Sequence, residues 1–362
     1  MIYVGSLKYS PVYKSHCCAF GEACEDEGYI VKYLFSHEYK WMLPNEIKTK
    51  TIFVGNSKDI PALLIDTLNI NNLKILKKNI SRDKPTHIYM HNYHLLNHYI
   101  SKLGKKQGYT FIYHMHEPYV KNKSDYGGFA RYWLYLNEVM VEKLLLDTDV
   151  AIVSSKEASK LFDLRYPWFQ GKKKEIPLIY EDLGKEIAPK EQRKYITFVG
   201  PTMPSKGADI FLKIIDYSAK HDLGYDFLLL SRTKVNNSSF HNKANLTVFC
   251  RNRISDEDYG EIIRKSLIVL VPYKRITQSS VLLVSYMYGT PVVSSNVGGL
   301  PEFVKHEETG FLVDKDAPVE KWIEGINYTS ANFARMSVNC RNYFVEAFSG
   351  KNWKKYLNVL GL

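Results

Sequence analysis

Short apolar runs alternate with longer amphipathic stretches along the whole chain. In the first half, residues 2–4, 29–35, 51–54, 87–90, 110–114 and 150–153 are rich in Ile, Val, Tyr and Phe and bounded by polar or turn residues, the pattern of strands. Residues 95–106 and 129–146 repeat apolar positions at the helical period. A second series begins near residue 194. There, 195–199, 227–230, 246–249, 267–271, 292–295 and 311–313 predict strands, and 208–220, 256–265 and 281–288 predict helices. Such alternation implies parallel sheets covered by helices on both faces. Two series imply two doubly wound α/β domains, 1–190 and 191–345, with 346–362 a terminal helix expected to pack back on the first. The charged stretch 171–192, with Pro177 and Pro189, is the expected junction. Ligands of open α/β sheets bind beyond the carboxyl ends of the strands, so the chemistry is sought in those loops and in a cleft between the domains.

Composition narrows the class. The 362 residues, 45% hydrophobic and 24% charged, describe a globular protein and exclude a disordered, collagenous or disulfide-stapled one. The net charge of +11 is shared by both halves and suits an anionic small substrate, an acidic membrane surface or nucleic acid. Twenty-seven tyrosines and 17 phenylalanines invite an RNA-stacking reading, but they are scattered and form no recognised module, so no nucleic-acid partner is expected. The five cysteines, Cys17, Cys18, Cys24, Cys250 and Cys340, are odd in number and lack a framework, which predicts free thiols in a reducing cytoplasm. Residues 1–5 have no signal-peptide character, and the longest apolar runs fall far short of the ~20 residues of a membrane helix. The expected location is cytoplasmic, at most peripheral on the inner face of a membrane. Tyr119, Tyr126, Tyr132 and Trp133, interleaved with Lys121, Lys123 and Arg131, either dock on such an anionic surface or form a solvated helix face.

Three loops carry candidate chemistry. The first, Gly200-Pro201-Thr202-Met203-Pro204-Ser205-Lys206-Gly207, joins a strand to a helix start, where free N–H groups and Lys206 attract phosphate; a surface lysine before a helix is the plainer reading. In the second, Lys274 and Arg275 precede Thr277, Gln278, Ser279 and Ser280 as another helix begins. Ser279 or Ser280 would cap that helix, and the N–H groups suit a diphosphate. In the third, Gly289-Thr290-Pro291-Val292-Val293 leads to Gly298-Gly299-Leu300-Pro301-Glu302 and then to Thr309-Gly310-Phe311-Leu312-Val313. Gly298 and Gly299 permit close approach of backbone to a ligand, and Glu302 lies at a helix start that favours a carboxylate.

In this order and spacing the three segments resemble the carboxyl-terminal domain of the group 1 (family 4) retaining glycosyltransferases, in the branch with Thr277-Gln278-Ser279 at the helix start. The resemblance implies a GT-B fold: two Rossmann-like domains about a cleft, the donor held mainly by the second. It implies a metal-independent enzyme without a cofactor that moves a hexose-type sugar from a UDP- or GDP-sugar to a glycan or lipid-linked acceptor. The expected setting is the synthesis of cell-surface polysaccharide, glycolipid or lipid-linked oligosaccharide. On this reading Lys206 and the N–H groups from Gln278 to Ser280 stabilise the leaving diphosphate, which itself takes the acceptor proton. Gly200, Gly298, Gly299, Thr277 and Glu302 line the donor site, and Arg253 and Ile254 meet the nucleobase. Closure of the two domains would exclude water. The chain departs from the family in having Pro201 where an arginine is common, and Ile276 and Val284 where two glutamates are common.

The first half matches less of the pattern. In His114-Met115-His116-Glu117-Pro118, after a strand, His116 is the better match for the family's reaction-centre histidine and His114 the second choice; a structural histidine is the alternative. His91, His94 and His98 share a spacing that could bind a metal, without a carboxylate or cysteine to complete the set, or His91 could line the acceptor site. Ser15 is expected to cap the first helix, with Lys14 or His16 facing the cleft. Two rivals remain: a non-catalytic GT-B protein that binds a glycan or partners an active transferase, and a nucleotide-sugar epimerase.

Overall fold

A computed structural model describes residues 1–56, 60–118, 123, 126–184, 186–235, 238–240 and 243–362, the side chains of 60–63 excepted. Two compact units divide the chain. One contains Met1–Val120, Gly127–Glu181 and Ser349–Leu362; the other contains Asp182–Phe348.

The first unit holds strands β1 (Ile2–Ser6), β2 (Val31–Phe35), β3 (Thr51–Phe53), β4 (His87–His91), β5 (Thr110–His114), β6 (Val150–Val153) and β7 (Lys172–Glu175). They form one parallel sheet in the order β3-β2-β1-β4-β5-β6-β7. Alternate side chains serve opposite faces, as the pleat requires. Ile2, Val4, Tyr33, Tyr89 and Ile112 pack on one side with Cys17, Phe20 and Trp353. Tyr3, Leu34, Ile88, Phe111 and Tyr113 pack on the other with Leu76, Ile100 and Leu144. Both faces are covered, which is why these strands read as nearly continuous apolar runs. The terminal segment joins this core, with Trp353 edge-on to Phe20 at 4.8 Å and Leu357 and Leu360 buried beside it.

Strand β7 was not expected: its sequence, Lys-Lys-Lys-Glu, lies inside the charged stretch read as the junction. Among the described strands it pairs with β6 at the edge of the sheet, and lysines on an edge strand discourage pairing with another chain. The first helix, Pro11–Asp26, is capped differently from expectation. Its N-cap is Ser10, and Ser15 lies within the helix, where its Oγ accepts the Glu181 N–H at 3.1 Å.

The second unit holds β8 (Tyr195–Val199), β9 (Asp226–Ser231), β10 (Leu246–Cys250), β11 (Ser266–Val271), β12 (Val292–Ser295) and β13 (Gly310–Val313). These form a parallel sheet in the order β10-β9-β8-β11-β12-β13. Its core joins Ile196, Phe198, Phe211, Leu229, Leu270, Val293 and Trp322. In both sheets the chain reverses winding beside its first strand, between β1 and β4 and between β8 and β11. At such a switch point the loops after the two strands part and leave a crevice at their carboxyl ends.

Arg193, the residue directly after the supposed junction, is buried. Its guanidinium donates to the carbonyls of Ala188 at 3.0 Å, Ser266 at 3.0 Å and Tyr288 at 2.9 Å, and to Thr290 Oγ1 at 2.7 Å. Burial lowers its pKa to about 10. The charge run is therefore followed at once by a structural cation that ties residue 188 to two strand starts and a helix end.

Candidate active site

In the second unit three loops meet at the carboxyl end of the sheet. The loop after β8 tightens into a 3₁₀ turn, Pro204–Lys206, and enters the helix Ala208–Lys220 through Gly207. Gly207 has φ 71°, and a Cβ there would lie 1.8 Å from the Pro272 carbonyl oxygen at the end of β11. Only glycine permits that approach. The Lys274 N–H donates to the Ser205 carbonyl at 2.9 Å, so the loops after β8 and β11 are bound together at the switch point. The third loop docks in the same manner. Gly298, with φ 55°, would place a Cβ 1.9 Å from the Ile276 carbonyl oxygen, and the Gly299 N–H donates to that oxygen at 3.1 Å. The close approach that Gly298 permits is to the protein's own backbone.

Lys206 Nζ stands 3.9 Å from the centroid of the Tyr273 ring. Tyr273 is buried, which pushes its hydroxyl up to about 12; a hydrogen bond with Ser279 acts in the opposite sense. Ser279 is the N-cap residue of the helix Ser280–Met287, but its side chain bonds Tyr273 and not the helix, contrary to the capping expectation. Thr277 and Gln278 are buried just before this helix, and Thr277 Oγ1 has no hydrogen-bond partner among the described residues. Lys274 is paired with Asp209 at 2.7 Å. Lys206, Thr277, Gln278, Ser279, Ser280, Gly298 and Gly299 are thus gathered on touching loops. Gly200 opens the first of them, its N–H donating to the Leu230 carbonyl at 2.9 Å. Glu302 lies half-buried in the short helix Leu300–Phe303 that Gly299 starts.

Arg253 and Ile254 follow β10 and precede the helix Asp256–Arg264, capped by Ser255. Arg253 is exposed and Ile254 is buried. Tyr259 of that helix carries the Arg232 guanidinium over its ring at 4.9 Å. Burial pushes Tyr259 up to about 12, with Arg232 acting against the shift and Tyr273 adding to it. The sequence reading missed Arg232. Its one signal is a basic residue directly after a buried strand, where a glycine turn would be ordinary.

In the first unit, histidines gather beyond β4 and β5. His16 stacks on His91 at 4.7 Å, and His91 meets His114 at 4.6 Å and His116 at 6.1 Å. His16 Nδ1 donates to the Ile179 carbonyl at 2.7 Å. The Tyr89 hydroxyl lies 2.6 Å from His114 Nδ1 and 3.2 Å from His91 Nδ1, so it donates to one ring and accepts from the other. Burial lowers His16 to about 4 and His94 to about 3, and drives His91 and His114 well down. His114 is fully buried, with its other nitrogen on Ser154 at 2.7 Å, which removes it as a ligand-facing alternative. His16 and Lys14 are buried too, Lys14 on Glu181 at 3.0 Å. His116 is half-buried and lines a cavity of about 160 Å³ with Tyr13, Asn92, Tyr93, Glu117 and Glu138. Among the described residues no group of three or more His, Cys, Asp or Glu is placed to hold a metal ion.

Two doubly wound parallel sheets, the second carrying a basic loop cluster at its switch point, define the GT-B fold. Residues 193–332, most of the second unit, match the family model described as Glycosyl transferases group 1. The chain is similar to an uncharacterized glycosyltransferase of Methanocaldococcus jannaschii, 30% identical over 157 residues, 41% of this chain and 43% of that protein. The match thus spans less than half the length of that relative. Among solved structures, sucrose-phosphate synthase from Thermosynechococcus elongatus superposes with a TM-score of 0.70 at 17% identity over 99% of this chain and 97% of that one. HepE of Anabaena, solved in complex with UDP-glucose, superposes with a TM-score of 0.69 at 13% identity over the whole of both chains.

Proposed function

We propose that this protein is a retaining glycosyltransferase that moves a hexose-type sugar from a UDP- or GDP-sugar to an acceptor hydroxyl. The observation that carries the reading is the convergence of Lys206 and the start of the helix Ser280–Met287 at the switch point of the second sheet. As the sugar–oxygen bond lengthens, negative charge grows on the departing diphosphate. Lys206 and the N–H groups from Gln278 to Ser280 oppose that charge from fixed positions, and fixed dipoles act without reorganising. The leaving diphosphate takes the acceptor proton, so no metal ion and no separate protein base is required. Gly200, Thr277, Gly298, Gly299 and Glu302 belong to the donor site, Arg253 and Ile254 to its nucleobase end, and His116 to the acceptor-side chemistry of the first unit. HepE, solved with UDP-glucose, supports a uridine donor by analogy.

The acceptor is a glycan or a lipid-linked sugar, reached from an anionic membrane surface. Supporting this, the helix Gly128–Leu145 exposes Phe129, Tyr132, Leu136 and Val139 along one face, with Arg131 exposed among them. Tyr119 and Lys121 of the aromatic-basic stretch lie outside the described residues. No described helix is long and apolar enough to cross a membrane.

The test is a thermal-shift panel of UDP, GDP, ADP and their sugar conjugates, with and without a chelator. A ligand at 100 times its dissociation constant adds about 2.7 kcal/mol of stability. A chelator-insensitive shift with one nucleotide family supports the reading and names the donor. No shift with any member transfers the weight to a non-catalytic GT-B protein, a reading favoured by the apolar side chains of Ile276 and Val284, where the resemblance to the family would lead one to expect glutamates.

A further inference from the structure

We propose that Arg232 is a second cation of the donor site and contacts the diphosphate beside Lys206. The proposal rests on the donor-site reading above. Arg232 is the residue directly after β9, and β9 is the neighbour of β8, with Leu230 opposite Val199. The Gly200 N–H bonds the Leu230 carbonyl at 2.9 Å, which sets the loop carrying Arg232 alongside the loop carrying Lys206. Adjacent strands lie only about 4.8 Å apart, so two side chains at their carboxyl ends can reach one ligand.

The residue is held in place from several sides. Ser231 Oγ accepts the Thr233 N–H at 3.1 Å and lies 2.8 Å from the Thr233 carbonyl, closing a tight turn around Arg232. The Arg251 N–H donates to the Ser231 carbonyl at 3.1 Å. The guanidinium rests on the Tyr259 ring at 4.9 Å, as Lys206 Nζ rests on Tyr273 at 3.9 Å.

The chemistry of Arg232 is incomplete within the protein. Its Nε is buried and has no hydrogen-bond partner among the described residues, and no described carboxylate forms an ion pair with it. A buried donor is ordinarily satisfied, and a ligand oxygen would satisfy this one. A departing nucleoside diphosphate carries more than one negative charge, and Lys274 is already paired with Asp209. A planar guanidinium donates two parallel bonds to phosphate oxygens, which an ammonium cannot do. Arg232 and Lys206 together therefore match the charge of the leaving group better than either alone.

Calorimetric titration of the full chain with UDP, GDP and ADP, and with the corresponding nucleosides, tests this. The wild-type protein is compared with Arg232→Ala, Arg232→Gln and Arg232→Lys; Gln keeps a polar, partly aliphatic side chain at the site without the charge. Removal of the charge is expected to weaken the preferred diphosphate about tenfold to a hundredfold, the scale of lost hydrogen bonds to a charged group. Nucleoside affinity stays as in the wild type, and Lys restores part of the loss. Diphosphate affinity unchanged in a folded Ala or Gln variant overturns the proposal. So does an equal loss of diphosphate and nucleoside, which would place Arg232 on the base or ribose. If the wild-type protein binds none of the diphosphates, the donor-site reading itself fails and this proposal with it.

Discussion

Lys206 holds its Nζ over a ring face, 3.9 Å from the Tyr273 centroid, at the switch point of the second sheet. Lys206→Ala should therefore lower turnover by roughly 10²–10³, the scale of one preorganised group opposing transition-state charge. An assay of sugar transfer at saturating donor checks this, and wild-type turnover would remove Lys206 from the mechanism. The histidines make a separate claim about pH. His16 is held near 4 in the folded protein against an ordinary 6.5, and His91, His94 and His114 are also lowered, all by burial first. Between these values the unfolded chain binds protons that the folded one does not. Stability is then complete above about pH 6.5 and falls as pH drops toward 4, by up to about 1.4 kcal/mol per pH unit for each such ring. Urea midpoints measured from pH 7 to pH 4 should fall steeply, and less steeply for His16→Gln. A flat series would show that these rings are not held neutral. His116 could be read from the sequence as the histidine to watch, because it follows a strand. That His114 is consumed by Tyr89 and Ser154 could not, since those partners lie 25 and 40 residues away along the chain.

The loops are set by backbone contacts that single residues control. Gly207→Ala adds a Cβ against the Pro272 carbonyl at a left-handed φ, where something must move. The Lys206 turn and the β11 loop should separate, with a stability loss of about 1–3 kcal/mol and weaker donor binding. Gly224→Ala is the comparison: φ is 70°, but no atom lies within 4 Å of its Cβ, so strain is the only cost. Thermal melts with and without nucleotide separate the two, and equal losses would refute the role assigned to the Pro272 contact. Arg193 is the other point of control. Arg193→Ala removes four hydrogen bonds from one buried cation and leaves three carbonyls facing a void. A loss of at least about 3 kcal/mol is expected in denaturant unfolding. Strand positions in the second unit were readable because burial on both faces selects runs of Ile, Val, Leu and Phe. Strand β7 was not, because an edge strand of lysines follows the opposite rule.

At the scale of the molecule, two sheets of the same winding each place a switch point beside their first strand. The terminal segment Ser349–Leu362 belongs to the first unit although it follows the second in sequence. Trp353 fills the space between Phe20 and Tyr89, at 4.8 and 6.1 Å. Trp353→Ala should cost about 3–5 kcal/mol, the usual loss for a large buried aromatic, measured as a lowered unfolding midpoint. A midpoint within experimental error of the wild type would show that the tail adds nothing to that core. The alternation of apolar runs and helical periods by itself determined two parallel α/β sheets, because covered strands must be apolar and their crossovers must be helices. The glycine and lysine spacings determined where a phosphate-bearing ligand would be sought. Tertiary structure alone decided which polar groups remain for a ligand. It placed Lys14 on Glu181 and Lys274 on Asp209, buried His16, His91 and His114, turned Ser279 toward Tyr273, and left Arg232 beside the Lys206 loop. The physical reason is that a side chain's availability depends on its partners in space, and those partners come from strands and helices far apart in the chain.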